Sequence, residues 1–238
     1  MPRALWITPG RAVFVTIGIL VCVNVIDIRV PHASLVVGPV TAAALLALAR
    51  TAGLSWAELG LGPGTWRRGL IWSAVIIGSV GVVFAVGAAL PLTRDAFRDS
   101  RYQLGWGSAL LTSLVLIPVG TVLVEEVAFR GVLWGLIRRV RGTAAATIVS
   151  STLFGLWHVL PSLGLSADNE AIGSAVGKGK SAQLITVIAT VAFTALAGVV
   201  FCEVRRRSGS LLASASMHWA TNGLGVLASA AVWAWGTR

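Results

Sequence analysis

The chain is short of charge, and shortest of acid. Of 238 residues only 9 are Asp or Glu, against 19 Lys or Arg, and charged residues make up 12% in all. Soluble domains carry about 25%. With 56% hydrophobic residues and a mean hydropathy of +0.84, a water-soluble core of this length could not hide the apolar surface, whereas a bilayer solvates it. There are two cysteines, Cys22 and Cys202, each within or at the end of an apolar run. They exclude a disulfide framework and read as small apolar side chains. The first apolar run lacks a small-residue cleavage site and many more runs follow it, so no cleavable signal peptide is expected. The apolar–polar alternation of a membrane barrel is missing, as are an internal repeat and a separate soluble domain. The net charge of +10 would point to nucleic acid in a soluble protein. Here the basic residues fall in short breaks between apolar runs, with no basic face interleaved with aromatics, so no nucleic-acid partner is expected.

What is present is a series of apolar runs, each near the roughly 20 residues needed to cross a bilayer. They cover about 12–28, 33–49, 70–90, 108–137, 143–160, 183–202 and 210–235. The expected fold is all-α: a polytopic transmembrane helical bundle of seven or eight spans, built as a single membrane domain, 1–238. The count turns on the last run, which is either one tilted helix or two helices broken at Gly223 and Gly225. Pro118 predicts a kink in the fourth run, since proline removes a backbone donor. With an N-terminus inside and eight spans, 12 basic residues fall on the inner side and 6 on the outer, which predicts a cytoplasmic N-terminus. The segment 53–69, with Trp56 and Trp66 beside arginines, reads as lying on the membrane surface. The segment 161–182 is the longest loop and is expected to be mobile. Its GKGKS stretch is no phosphate loop, because Ser174 stands where the first glycine is needed and no strand precedes it.

Charge inside a membrane costs about 2.5–3.5 kcal/mol per group, so intramembrane ionisable residues are functional candidates. One apolar run holds Glu125, Glu126 and Arg130; two others hold His158 and His218. Glu126 and Arg130 are four apart and can pair, while Glu125 points about 100° away. Phe154–His158 and His218–Asn222 repeat the four-residue spacing. At 1.5 Å per residue, Glu125 lies roughly 20 Å from Arg138, His158 roughly 25 Å from Arg141 and His218 roughly 16 Å from Arg207, so the three can meet in one layer. Taken singly, Glu126–Arg130 is most often a structural ion pair and a membrane histidine a helix–helix hydrogen bond. Five such groups in three spans at compatible depth favour a site. His32, beside Pro31, reads as non-functional.

At these residues the sequence resembles the CPBP intramembrane proteases, which include CAAX prenyl endopeptidases and bacteriocin-processing or immunity-related membrane proteins. That family is marked by EExxxR, FxxxH and HxxxN, which read here as Glu125-Glu126-Val127-Ala128-Phe129-Arg130, Phe154-Gly155-Leu156-Trp157-His158 and His218-Trp219-Ala220-Thr221-Asn222. The resemblance spans about 119–223, and the upstream segment LSWAELGLGP also looks like one that often precedes the catalytic region in that family. It implies an endopeptidase in a bacterial-type plasma membrane, acting on a membrane-associated peptide or protein. Glu125 would be the base that activates water and His158 would help hold it. His218 and Asn222 would stabilise the oxyanion, and Glu126, Arg130 and Phe154 would support the site. Two versions of the chemistry stay open. Glu125, His158 and His218 would make a three-ligand catalytic zinc site, and the same residues support a metal-free glutamate mechanism. There is no HExxH and no nucleophilic Ser or Cys constellation. The alternatives are a non-enzymatic scaffold or bacteriocin-immunity factor, and a proton-coupled transporter, whose relays also use intramembrane Glu and His.

Overall fold

Lipid offers no partner to a backbone N–H or C=O, and a helix satisfies both within its own segment. The computed structural model describes residues 7–30, 33–177 and 179–236, and apart from one bridge between Asp99 and Asn169 all regular structure among them is helical. Helix α1, Pro9–Arg29, starts at Thr8, whose hydroxyl accepts from the Arg11 amide at 3.4 Å, with proline in the first turn. Helices α2, Ser34–Thr51, and α3, Trp66–Ala89, follow. Next comes a helical run of 52 residues, Trp106–Trp157. It bends at Gly142, where φ 81° and ψ 177° are non-helical and lie in a region open only to glycine. We call its limbs α4 (106–141) and α5 (143–157). Helix α6 is Lys180–Ser208 and α7 is Leu211–Gly236.

Five helices among the described residues are long and apolar enough to cross a membrane, where the sequence predicted seven or eight spans. The fourth and fifth predicted runs are one of these five, joined across the Gly142 bend. The last run is a single unbroken helix of 26 residues. Gly223 does not break it: a Cβ there would lie 2.7 Å from the Trp219 indole and 3.0 Å from Ser113 Oγ, so the glycine makes room for packing. His32 lies outside the described residues.

Helix α4 is the centre of the bundle. Residues 124–137 are buried without interruption, and α1, α2, α5 and α6 pack their apolar faces on it. The outward faces are apolar too: Phe14, Val36 and Phe193 are 77%, 69% and 73% exposed, as lipid contact requires. Pro118 has its effect as wider turns, since Thr112–Leu116 and Pro118–Val122 are both π-helical.

One end of the bundle gathers the arginines. The 53–65 segment is docked there by an Arg139–Glu58 ion pair at 2.7 Å, by Arg205 donating to the Glu58 carbonyl at 2.8 Å, and by the Leu211 amide bonding the Gly60 carbonyl at 2.9 Å. Trp56 and Trp66 are half-exposed beside it, as an interfacial segment predicts. At the other end the 161–177 loop is not irregular but forms two short helices, Leu165–Asp168 and Glu170–Val176. Asn169 caps the second by accepting from the Ile172 amide at 3.1 Å and ties it to the Ala96 carbonyl at 3.3 Å.

Candidate active site

The costly groups found in the sequence come together. Glu125 and Glu126 sit where α4 opens into the π-helical stretch Glu126–Leu133, a distortion frequent at functional sites. They are 5% and 1% exposed. Glu126 Oε1 lies 2.9 Å from Arg130 Nη1 and 3.0 Å from His218 Nδ1 on α7. The Arg130 guanidinium is fully buried and makes no aligned hydrogen bond. Its charge is met instead by Glu126 and by aromatic faces, its Cζ lying 3.8 Å from the Phe154 ring centroid and 4.8 Å from that of Phe201. Phe201 also stacks on His218 with centroids 5.2 Å apart.

Glu125 faces the other way, into a cavity of about 680 Å³ whose wall includes His158, Asn222, Trp157, Asn24 and Asp27. Its Oε1 accepts from the Trp157 indole at 3.0 Å, and its Oε2 is enclosed with no hydrogen-bond partner. His218 Nε2 stands 3.7 Å from that Oε2. Because His218 Nδ1 faces a carboxylate, Nδ1 carries a proton and donates to Glu126. His158 ends α5 and holds its Nδ1 2.8 Å from the Phe154 carbonyl. A carbonyl only accepts, so Nδ1 donates and Nε2 keeps the lone pair in the neutral ring. Asn222 is exposed on the cavity wall. His218, grouped with Asn222 in the sequence reading, is buried at 3% and lies behind Glu125.

Trp157, Asn24, Asp27 and Phe201 escaped the sequence reading. Asn24 Nδ2 donates to the Trp157 carbonyl at 2.8 Å, pinning the end of α5 against α1. The signal for Asn24 and Asp27 was present, as two polar side chains in the first apolar run. Nothing in the sequence marks Phe201 apart from other apolar residues. A narrower apolar crevice of about 280 Å³ shares Asn24 and Trp157 with the main cavity.

The cavity extends to the end opposite the arginine-rich segments, where residues from 96–102 and 161–169 line it. Asp99 is paired there to Arg101 through two bonds of 2.9 and 2.6 Å. Those bonds raise the guanidinium above its ordinary value, against the pull of partial burial, and burial also raises the neighbouring Tyr102 phenol.

Among the described residues no three His, Cys, Asp or Glu side chains are grouped to hold a metal ion. His158 and His218 each engage Nδ1 with a protein oxygen, which leaves Nε2 of each as the nitrogen that could hold a metal ion or a proton.

The fold and these contacts define an integral membrane protein with a carboxylate–imidazole site at the wall of an internal cavity. The sequence model of the family described as Rce1-like, type II CAAX prenyl endopeptidase, matches residues 106–224. That is half of the chain and contains all three motifs, and the protein belongs to this family. Comparison with curated proteins finds no match. Comparison with solved structures finds none either.

Proposed function

We propose that the protein is an intramembrane endopeptidase that hydrolyses a peptide bond of a membrane-associated peptide or protein by attack of a Glu125-activated water. The observation that carries this reading is the state of Glu125: a nearly buried carboxylate, tethered through Oε1 and unpartnered at Oε2, on a cavity wall shared with His158 and Asn222. Peptide hydrolysis needs a base, a water and donors aimed at the developing oxyanion. Glu125 takes the proton from a water held by His158 Nε2. The Asn222 amide donates to the oxyanion, and His218 Nε2 stabilises the proton that Glu125 has gained before it passes to the leaving amine. Glu126, Arg130 and Phe154 hold His218 and the α5 end in place. The adjoining apolar crevice supports a substrate with a lipid-embedded segment or chain.

Seven passes fit the helices best, with α4 and α5 crossing separately on either side of Gly142. Arginine ends facing the cytoplasm agree with the charge bias and put the 96–102 and 161–169 end of the cavity on the opposite face. The test is cleavage of quenched fluorogenic peptides by the detergent-purified full chain, with Glu125→Gln and His158→Ala. Both variants are expected to be folded and inactive. The reading fails if either cleaves at the wild-type rate. Chelator in the same assay decides between metal-free and metal-dependent chemistry, the expectation being no loss.

A further inference from the structure

The chain as a whole carries +10, yet its cavity is acidic. The Asp, Glu, Lys and Arg residues on the wall are Asp27, Asp99, Glu125 and Arg101, with His158 beside them. Asp99 and Arg101 cancel one another through their paired bonds. That leaves two carboxyl groups, Glu125 and Asp27, on one cavity wall. Asp27 lies in α1 with Oδ1 enclosed and without a hydrogen-bond partner, and it forms no ion pair among the described residues. A membrane-embedded carboxylate without a partner is costly, and nothing in the packing of α1 requires one. The more deeply buried Glu125, on the same wall, carries a second enclosed oxygen without a hydrogen-bond partner. Asp27 lies outside the 106–224 stretch that the family model matches.

We propose that Asp27 is a specificity residue that receives a cationic side chain of the substrate, so that the protein acts on peptides with Lys or Arg beside the scissile bond. This rests on Glu125 being the base. An ammonium or guanidinium supplies the partner that Asp27 lacks. It also offsets the like charge that Asp27 and Glu125 place on one cavity wall. A substrate with a carboxylate at the same place meets two like charges in a poorly solvated cavity and is excluded.

The test uses the full chain in nanodiscs and matched peptides that differ only in Lys, citrulline or Glu at positions flanking the scissile bond. Both cleavage and binding are measured. At the best flanking position the wild type should prefer Lys over citrulline by about tenfold, the scale of one partly desolvated charge pair. Asp27→Asn should bring that ratio close to one, and Asp27→Lys should turn the preference toward Glu. Asp95→Asn, whose carboxylate is mostly exposed and paired to Arg98 at 3.6 Å, should keep the wild-type ratio. Equal wild-type affinities for Lys and citrulline, or a ratio untouched by Asp27→Asn, overturn the proposal. If no peptide is cut but binding shows the Asp27-dependent ratio, the protease reading falls and the cation site stands.

Discussion

The Trp157 indole holds one oxygen of Glu125 at 3.0 Å and leaves the other without a hydrogen-bond partner. A carboxylate free on both sides would rotate about its last torsion and present either oxygen. Tethered through Oε1, it presents Oε2 in one place, toward His218 Nε2 at 3.7 Å. Asn24 fixes the tether in turn by bonding the Trp157 carbonyl.

Trp157→Phe keeps the ring and removes the donor. A hydrogen bond to a charged group is worth about 1.5–3 kcal/mol, so kcat should fall about 10- to 100-fold. KM should change little, because the indole holds the base rather than the peptide. A matching rise in KM with kcat unchanged would reassign Trp157 to substrate binding.

Arg130 should be needed for folding more than for chemistry. It is fully buried, paired to Glu126 at 2.9 Å and laid 3.8 Å from the centre of the Phe154 ring. Removing one partner of a buried pair costs about 3–5 kcal/mol. Arg130→Ala should therefore lower the thermal unfolding midpoint sharply in detergent. Arg130→Lys should rescue little, since an ammonium cannot stack flat on Phe154. Full rescue by lysine would show that charge alone matters there.

The cost of charge in lipid made much of this site legible in the sequence. Glu125, Glu126, Arg130, His158 and His218 stood out because each is expensive where it lies, and the i,i+4 spacing of Glu126 and Arg130 became a real ion pair. Asn24 and Asp27 obey the same logic, yet they lie far upstream and only the packing of α1 on α5 brings them to Glu125. Trp157 was hidden because an aromatic in an apolar run is ordinary, and its donor role depends on a contact 32 residues back. The sequence left the final helix open between one helix and two, because nearby glycines can signal a break. Gly223 instead serves the approach of Trp219 and Ser113.

Gly155, between Phe154 and His158, is predicted to tolerate no side chain. A Cβ there would fall 2.6 Å from the Val191 carbonyl on α6, and a helix backbone cannot yield as a flexible side chain does. Gly to Ala in an open helix position stabilises by about 1 kcal/mol. Overpacking costs about 1–3 kcal/mol, so Gly155→Ala should be net destabilising. Gly78→Ala on α3, where nothing lies within 4 Å of the added Cβ, should be neutral or stabilising. Thermal unfolding of the two variants side by side gives the sign of each, and equal shifts would sink the argument.

Acid should release the 53–65 segment from the arginine-rich end. Burial tends to raise the Glu58 carboxyl, but the Ser55 amide and hydroxyl and the Arg139 guanidinium together hold it below its ordinary 4.5. A carboxyl depressed in the folded state binds its proton more readily when unfolded. Its stabilisation is therefore fully present above about pH 4.5, the unfolded value, and is lost as pH falls through the lower folded value. Between pH 6 and pH 3 the unfolding midpoint of the wild type should drop further than that of Glu58→Gln, which lacks the titrating group. Arg139→Gln should narrow the same gap, since it removes one of the groups that depress the carboxyl. Parallel curves for wild type and Glu58→Gln would mean that the docked segment owes its place to Arg205 and to the buried Leu54 and Leu59 alone.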